Sequence, residues 1–178
     1  MDYQTILDKY YAEDNSLRRI LLTHSRSVAD KALTLARRHP ELPIDLQFVE
    51  EAAMLHDIGI CRTDAPGIHC HGTEPYLCHG RIGAEMLRRE GYERHARVCE
   101  RHTGAGITKE EIIRQQLPFP ECDFLPETVE EQLVCYADKF FSKTHLDKEK
   151  TVEQAMKSLE RFGVEGVERF KRWTLLFE

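Results

Sequence analysis

The 178-residue sequence predicts an all-α protein. Apolar residues recur every three or four positions in several segments, as on the buried side of a helix, and no run alternates apolar and polar residues as a half-buried strand would. Three sequences of the form Thr-x-x-Glu or Thr-x-x-Gln are typical of helix starts. At this length we expect one compact domain over residues 1–178, with a core over about residues 16–145 and C-terminal helices over residues 151–177 packed on it.

The composition limits the environment and the partners. Six cysteines without a signal-peptide pattern are typical of a reducing, cytoplasmic location with free thiols. No apolar stretch approaches the roughly 20 residues that cross a bilayer, so we expect no membrane partner. The net charge of −6 argues against duplex nucleic acid as a partner, although a local basic pocket could hold a small anion.

The first predicted helix covers residues 16–38, with its N-cap among residues 14–16, and it ends before Pro40. His24 lies four residues from an apolar residue on either side, so it belongs to the buried stripe. A buried histidine of this kind is either a ligand or a core residue bonded to a backbone carbonyl.

The second predicted helix covers residues 45–59 and ends near Gly59. His56 lies on its buried stripe, and Asp57 follows about 100° further round the helix. A small change of direction there would let both side chains reach one metal ion. An adjacent His-Asp pair arises by chance in many chains, so this interpretation depends on further ligands elsewhere in the sequence.

A long loop is predicted over residues 61–78, because prolines and glycines interrupt the helical pattern. It contains several residues of metal-binding type, namely Cys61, His69, Cys70, His71 and Cys78. Their spacings do not form a paired Cys-x-x-Cys framework, so a lid or a substrate-binding wall is favoured over a structural zinc site. His71 could replace His79 as a ligand if the next helix begins later than predicted.

Two more helices are predicted over residues 79–90 and 93–102. His79 begins the inward face of the first helix. His102 ends the buried stripe of the second, so it could reach a site near the mouth of the domain. His95 is expected to be partly exposed.

The helix that begins after Thr128 carries Asp138 on its buried side. An isolated charge in an apolar interior is too costly to persist, so this carboxylate needs a partner. A metal ion or an arginine of a facing helix would serve as that partner.

Helices are also predicted after Thr108 and Thr151. A last helix is predicted over residues 166–177, and its apolar residues could pack against a second subunit, so a homodimer is an open alternative.

Four residues taken in order, His24, the pair His56-Asp57 and Asp138, reproduce the histidine, histidine-aspartate, aspartate series of the HD-domain superfamily of metal-dependent phosphohydrolases. The similarity includes Gly59 after the pair and covers roughly residues 16–145. It implies an HD-domain helical bundle.

Two further histidines narrow the resemblance to one branch of that superfamily. His79 in His-Gly-x-x-Gly-Ala and His102 in Arg-His-Thr-Gly resemble the extra ligands of HDIG-type members that bind two metals. That branch resembles the bacterial hydrolases that cleave diadenosine tetraphosphate, among others.

The resemblance implies six ligands for one or two divalent metal ions: His24, His56, Asp57, His79, His102 and Asp138. Asp57 would bridge the ions, and it would form the catalytic centre with His56, where a metal-bound hydroxide attacks phosphorus. Imidazole and carboxylate ligands suit iron, manganese, zinc or nickel. Two such ions can activate water and stabilise phosphoryl oxygens during in-line attack.

One position departs from the resemblance. Many relatives have a lysine directly after the glycine of this motif, whereas this chain has Ile60. Contacts to a substrate phosphate must then come from elsewhere. Arg81, Arg101 and Lys139 each neighbour a proposed ligand and are the candidates.

The leading hypothesis from the sequence is an enzyme that hydrolyses a phosphoester or phosphoanhydride bond of a small, nucleotide-like substrate. Two alternatives stay open. The same ligands would suit a non-catalytic metal-binding or nucleotide-binding module, and some proteins of this fold use mixed-valent di-iron to activate oxygen.

Overall fold

Nine α-helices carry most of the chain, and the predicted all-α fold class is confirmed. The computed structural model describes residues 1–178. The helices are α1 (Tyr3–Tyr10), α2 (Ser16–Arg38), α3 (Leu46–Leu55), α4 (His79–Arg89), α5 (Glu93–Arg101), α6 (Lys109–Gln115), α7 (Val129–Asp138), α8 (Val152–Leu159) and α9 (Val164–Phe177). The sequence analysis predicts all of these except α1, which is short and lacks the Thr-x-x-Glu or Thr-x-x-Gln start of the comparably short α6 and α8.

Helix α2 is the longest element, and it has the bounds that the sequence predicts. Its N-cap is Asn15, whose side chain accepts a hydrogen bond from the backbone N–H of Arg18. The helix packs against both α3 and α7. His24 lies on this packed face and is only 1% exposed.

Helix α3 ends at Leu55, whereas the sequence analysis places its end near Gly59. Asp57 leaves the helical conformation, with φ −104° and ψ 10°, and a 3-10 turn follows over Ile58–Arg62. The Tyr11 hydroxyl holds this turn by donating a hydrogen bond to the carbonyl oxygen of Ile58 at 2.7 Å. Periodicity cannot reveal a contact from so distant a residue, and the turn supplies the change of direction expected at the His-Asp pair.

The predicted loop contains a small three-stranded sheet. Its strands are β1 (Thr63–Ala65), β2 (Cys70–His71) and β3 (Glu74–Pro75), in the order β2-β1-β3. β1 pairs antiparallel with β2, so that Asp64 lies opposite His71, and it pairs parallel with β3. Strands of two or three residues are too short to show alternation, so the sequence pattern cannot predict them.

Glycines allow the 3-10 turn after α3 to approach α4, and α4 to approach α5. A Cβ atom at Gly59 would lie 2.2 Å from the carbonyl oxygen of His79, and one at Gly80 would lie 2.4 Å from the carbonyl oxygen of Cys99. Only a residue without a Cβ fits at such distances. This close approach brings the start of α4 and the end of α5 to the His-Asp pair.

The C-terminal helices lie against the rest of the bundle. Phe170, Trp173 and Phe177 of α9 are buried in the main apolar core, and the Phe170 ring stacks on Tyr136 of α7 with centroids 4.7 Å apart. Thr151 and Gln154 form the capping box predicted at the start of α8. No helix combines the length and the apolar character that a membrane span requires.

The close approach of the turn and α4 predicts that Gly59→Ala is destabilising. The new methyl group must displace backbone, which typically costs about 1–3 kcal/mol of unfolding free energy. Gly67→Ala is the matched control, because a Cβ there meets nothing within 4 Å. Urea unfolding of the two variants measures the difference, and equal stability would contradict the packing described.

Candidate metal centre

Six side chains that the sequence analysis singles out as ligands meet at one buried point. They form two groups that share one residue, and within each group the ligand atoms lie within 4.8 Å of one another. The first group is His24, His56, Asp57 and Asp138, and the second is Asp57, His79 and His102. Five helices contribute, mostly at their ends, so the centre depends on the whole bundle rather than on one segment.

Asp57 lies between the two groups, and each of its carboxylate oxygens faces one of them. Oδ2 lies 3.1 Å from Nε2 of His24 and 3.0 Å from Nε2 of His56. Oδ1 lies 3.3 Å from Nε2 of His79 and 3.5 Å from Nε2 of His102. A carboxylate placed in this way can bind two ions at once, one through each oxygen.

Local backbone contacts orient three of the imidazoles. Nδ1 of His56, His79 and His102 each lies 2.7 Å from the carbonyl oxygen three residues earlier in the chain. In the neutral imidazole such a contact assigns the proton to Nδ1, which leaves the lone pair on Nε2 directed into the centre. This is the usual arrangement by which proteins fix the tautomer of a metal-binding histidine.

The atoms in the centre fit a divalent metal. Nε2 of His79 lies 3.0 Å from Nε2 of His102. Because both protons are on Nδ1, these two nitrogen atoms face each other with lone pairs only, and a bound cation would remove the repulsion between them. Both carboxylate oxygens of Asp57 and Nε2 of His56 are buried without a well-aligned hydrogen bond. A donor set of imidazole nitrogen and carboxylate oxygen suits first-row divalent ions.

The electrostatic environment keeps most of these groups ready to bind a cation. Burial lowers the pKa of His79 to about 3 and also lowers the pKa of His102, so both imidazoles are neutral at pH 7. Burial opposes ionisation of Asp57, but the charges of His56 and Lys143 hold its pKa well below the usual value. Against burial, the charges of Asp57 and Asp138 raise the pKa of His56 to about 9, so a metal must displace that proton.

Two lysines reach the centre. Nζ of Lys143 lies 2.5 Å from Oδ2 of Asp57, and Nζ of Lys139 lies 2.6 Å from Oδ2 of Asp138. Lys139 is one of the predicted substrate contacts. The sequence analysis misses Lys143, which lies in an irregular segment between α7 and α8 where no period distinguishes it from a surface lysine.

The other predicted contacts lie elsewhere. Arg101 is engaged by Glu127 at 2.9 Å, and it donates a hydrogen bond to the carbonyl oxygen of Leu125 at 3.1 Å. Arg81 lines a separate surface hollow together with the exposed His71. Of the three candidates for phosphate contact, the structure brings only Lys139 to the centre.

Two other histidines, His71 and His95, are not among the clustered ligands. His71 lies outside the cluster, and it is His79 that joins Asp57. His95 is buried rather than partly exposed, because its Nε2 lies 3.1 Å from a carboxylate oxygen of Glu51 on α3. That partner comes from a distant part of the chain, so the helical pattern around His95 does not reveal it.

A cavity of about 960 Å³, the central cavity, opens onto the metal centre. His79, His102, Asp138, Lys139 and Lys143 line its inner end. Its size lies at the upper end of the roughly 300–1,000 Å³ range of small-molecule sites. The centre is therefore accessible to a ligand considerably larger than water.

Comparison with known proteins identifies a family and a relative that each match most of this chain. The profile of the HD domain family matches residues 21–142. An uncharacterized protein of Methanocaldococcus jannaschii is 38% identical over 144 residues, which are 79% of this chain and 76% of that protein.

Two other relatives are longer proteins. A tRNA (cytidine(56)-2'-O)-methyltransferase of Thermoplasma volcanium is 35% identical over 161 residues, which are 90% of this chain but 40% of that protein. The same-named enzyme of Picrophilus torridus is 36% identical over 124 residues, 69% of this chain and 32% of that protein. This chain thus spans less than half the length of either methyltransferase.

A solved structure has the same fold. The HD domain of the phosphodiesterase PgpH of L. monocytogenes aligns with a TM-score of 0.54 and covers 90% of this chain and 95% of its own. Only 13% of the aligned residues are identical, so this similarity concerns the fold alone.

The buried carboxylates predict that a divalent metal stabilises the protein. A ligand at 100 times its dissociation constant adds about 2.7 kcal/mol to the free energy of unfolding. Adding manganese to chelator-treated protein should raise the melting temperature, and Asp57→Asn should abolish the rise. His71→Ala is the control and should respond like the wild type, whereas an unchanged melting curve in the wild type would contradict a metal centre at Asp57.

Proposed function

The chain belongs to the HD domain family, and we propose that it is a metal-dependent phosphohydrolase that cleaves a phosphoester or phosphoanhydride bond of a small, nucleotide-like substrate. One observation carries this proposal. The two oxygens of Asp57 face two separate sets of ligands at the inner end of a cavity, where two of its lysines lie beside the ligand carboxylates.

In the proposed enzyme, the two groups of ligands hold the metal. His24, His56 and Asp138 would bind one ion with Asp57, and His79 and His102 would bind a second with the same carboxylate. Bound there, divalent ions supply Lewis acidity toward phosphoryl oxygens and lower the pKa of water. The protein contributes orientation, since the backbone contacts to Nδ1 fix His56, His79 and His102.

Lys143 and Lys139 are the proposed contacts to the scissile phosphate. Both ammonium groups lie at the inner end of the central cavity and beside ligand carboxylates. Cations directed at phosphoryl oxygens stabilise the charge that develops during transfer. Ile60, which stands where many relatives have lysine, is fully buried, and Lys143 supplies a positive charge from a different segment.

The central cavity also suits an organic substrate. Tyr76, Phe141 and Phe162 line it along with the charged groups. Aromatic walls with a few charged groups at one end are typical of sites for nucleotide-like molecules. The ligands themselves are nearly completely buried, since none is more than 8% exposed. Water therefore reaches them only through this cavity.

The comparisons support the reaction class to different extents. The L. monocytogenes protein with the same fold is a phosphodiesterase, which agrees with phosphorus-oxygen bond cleavage. Methyltransferase activity is not proposed for this chain, because each of those relatives is more than twice as long as the part that this chain matches. The His/Asp cluster of this chain also suits metal ions rather than a methyl donor.

A direct assay tests the proposal. Chelator-treated protein is supplied with manganese, iron or nickel and incubated with nucleoside mono-, di- and triphosphates, a dinucleoside polyphosphate and a cyclic dinucleotide. We expect metal-dependent release of phosphate or of a nucleotide product from at least one of them. Metal binding without any product would favour a non-catalytic module, and substrate-dependent oxygen consumption by the iron form would favour an oxygenase.

The proposed roles also predict a ranking of variants. Asp57→Asn should lower the turnover number by at least 10² to 10³-fold, the loss typical for one preorganised charge-stabilising group. Lys143→Met should lower turnover while retaining bound metal, because Lys143 is not among the ligands. His71→Ala is the control. Near-normal turnover in Asp57→Asn, with full metal content, would contradict the assignment.

A further inference from the structure

The wall of the central cavity beyond the metal ligands is strongly basic. Five cations line the cavity as a whole: Lys139, Lys143, Lys150, Lys157 and Arg161. Only two carboxylates accompany them, those of Glu111 and Asp138. The protein as a whole carries a net charge of −6. The overall composition therefore does not explain why cations are concentrated around the central cavity.

Both carboxylates already have partners. Asp138 lies 2.6 Å from Lys139, and Glu111 lies 3.2 Å from Arg169 on α9. The other three cations of the cavity, Lys150, Lys157 and Arg161, belong to none of the ion pairs of the structure, whereas Lys139 and Lys143 are each paired with an aspartate. The positive charges of these three cations are therefore available to a ligand.

Lys150 connects this wall to the metal centre. It is half-buried, and its Nζ donates a hydrogen bond to the carbonyl oxygen of Lys139 at 3.4 Å. Burial lowers the pKa of Lys150, whereas the charge of Asp138 raises it. The positive charges of Lys139, Arg161 and Lys143 lower the pKa further. A half-buried lysine among other cations is an unfavourable arrangement that a bound anion would relieve.

We infer that Lys150, Lys157 and Arg161 form a subsite for a second phosphate of the substrate, which then carries at least one phosphate beyond the one that is hydrolysed. The inference rests on the proposed function, which puts the scissile phosphate beside Lys139 and Lys143. A phosphate matches three unpaired cations better than a carboxylate does, because it offers more negative charge and more acceptor oxygens. The volume of the cavity and the acidic net charge favour a small polyphosphorylated molecule over a polynucleotide.

The double variant Lys157→Ala with Arg161→Ala removes two cations of the subsite. Both residues are exposed and form no ion pair, although the Arg161 guanidinium lies over the exposed side of the Phe162 ring at 4.6 Å, so the fold should tolerate the change. The matched control is Lys171→Ala with Arg172→Ala, which removes the same charge from exposed positions of α9 that do not line the cavity. Comparing the two variants separates the subsite from a general change in net charge.

The first measurement is binding without turnover. Fluorescence anisotropy compares labelled, non-hydrolysable analogues of a nucleoside triphosphate and of the matching monophosphate, at constant free metal concentration. The wild type and the control should bind the triphosphate roughly tenfold or more tightly than the monophosphate. The subsite variant, which retains Lys150, should lose most of this preference, with the affinity for the monophosphate unchanged. Equal affinities in the wild type, or a preference undiminished in the subsite variant, would overturn the inference.

The second measurement is kinetic. On a polyphosphorylated substrate the subsite variant should show a KM raised by roughly tenfold with kcat nearly unchanged, because the lost contacts are remote from the reacting bond. If no substrate is hydrolysed but the binding preference behaves as expected, the proposed function fails and the subsite stands. Tighter binding of a short single-stranded RNA than of the triphosphate would overturn the assignment to a small molecule.

Discussion

Asp57 is a carboxylate with no exposure to solvent among four imidazoles, and the rest of this structure depends on how its charge is balanced. Removing an ion from water costs several kcal/mol unless it is paired and well oriented. In this protein positive charge supplies the compensation, with Nζ of Lys143 closest at 2.5 Å from Oδ2, and the lone pairs of the neighbouring neutral imidazoles can hold a metal cation beside the carboxylate. Cations, whether ammonium groups or metal ions, are therefore integral to this core.

The fold meets this requirement by placing ligands at helix ends. His56 and His102 follow the last turns of α3 and α5, His79 begins α4, and Asp138 ends α7. At a helix end a side chain can leave the packed face while the backbone still supplies a carbonyl to orient it. Glycines at the contacts with α4 then remove the side chains that would keep these ends apart.

The sequence analysis predicts the fold class, most helices and the residues that meet at the centre, because each of these leaves a local trace. His24 lies on a 3.6-residue stripe, and the Asp138 carboxylate stands out on an apolar helix face. Other features depend on contacts between distant segments and leave no such trace. The early end of α3 depends on Tyr11, the burial of His95 depends on Glu51, and Lys143 reaches Asp57 from an irregular segment. Arg81 and Arg101 show the converse, since each neighbours a ligand in sequence but its side chain contacts other groups.

The central claim is that one carboxylate serves two metal sites, and anomalous diffraction from crystals grown with manganese or iron tests it most directly. Two anomalous peaks are expected for each chain, one beside Oδ2 of Asp57 among His24, His56 and Asp138, and one beside Oδ1 with His79 and His102. A single peak confined to the first group would contradict the bridging role of Asp57. Peaks at the cysteines and histidines of residues 61–78, with none at Asp57, would contradict the metal centre altogether.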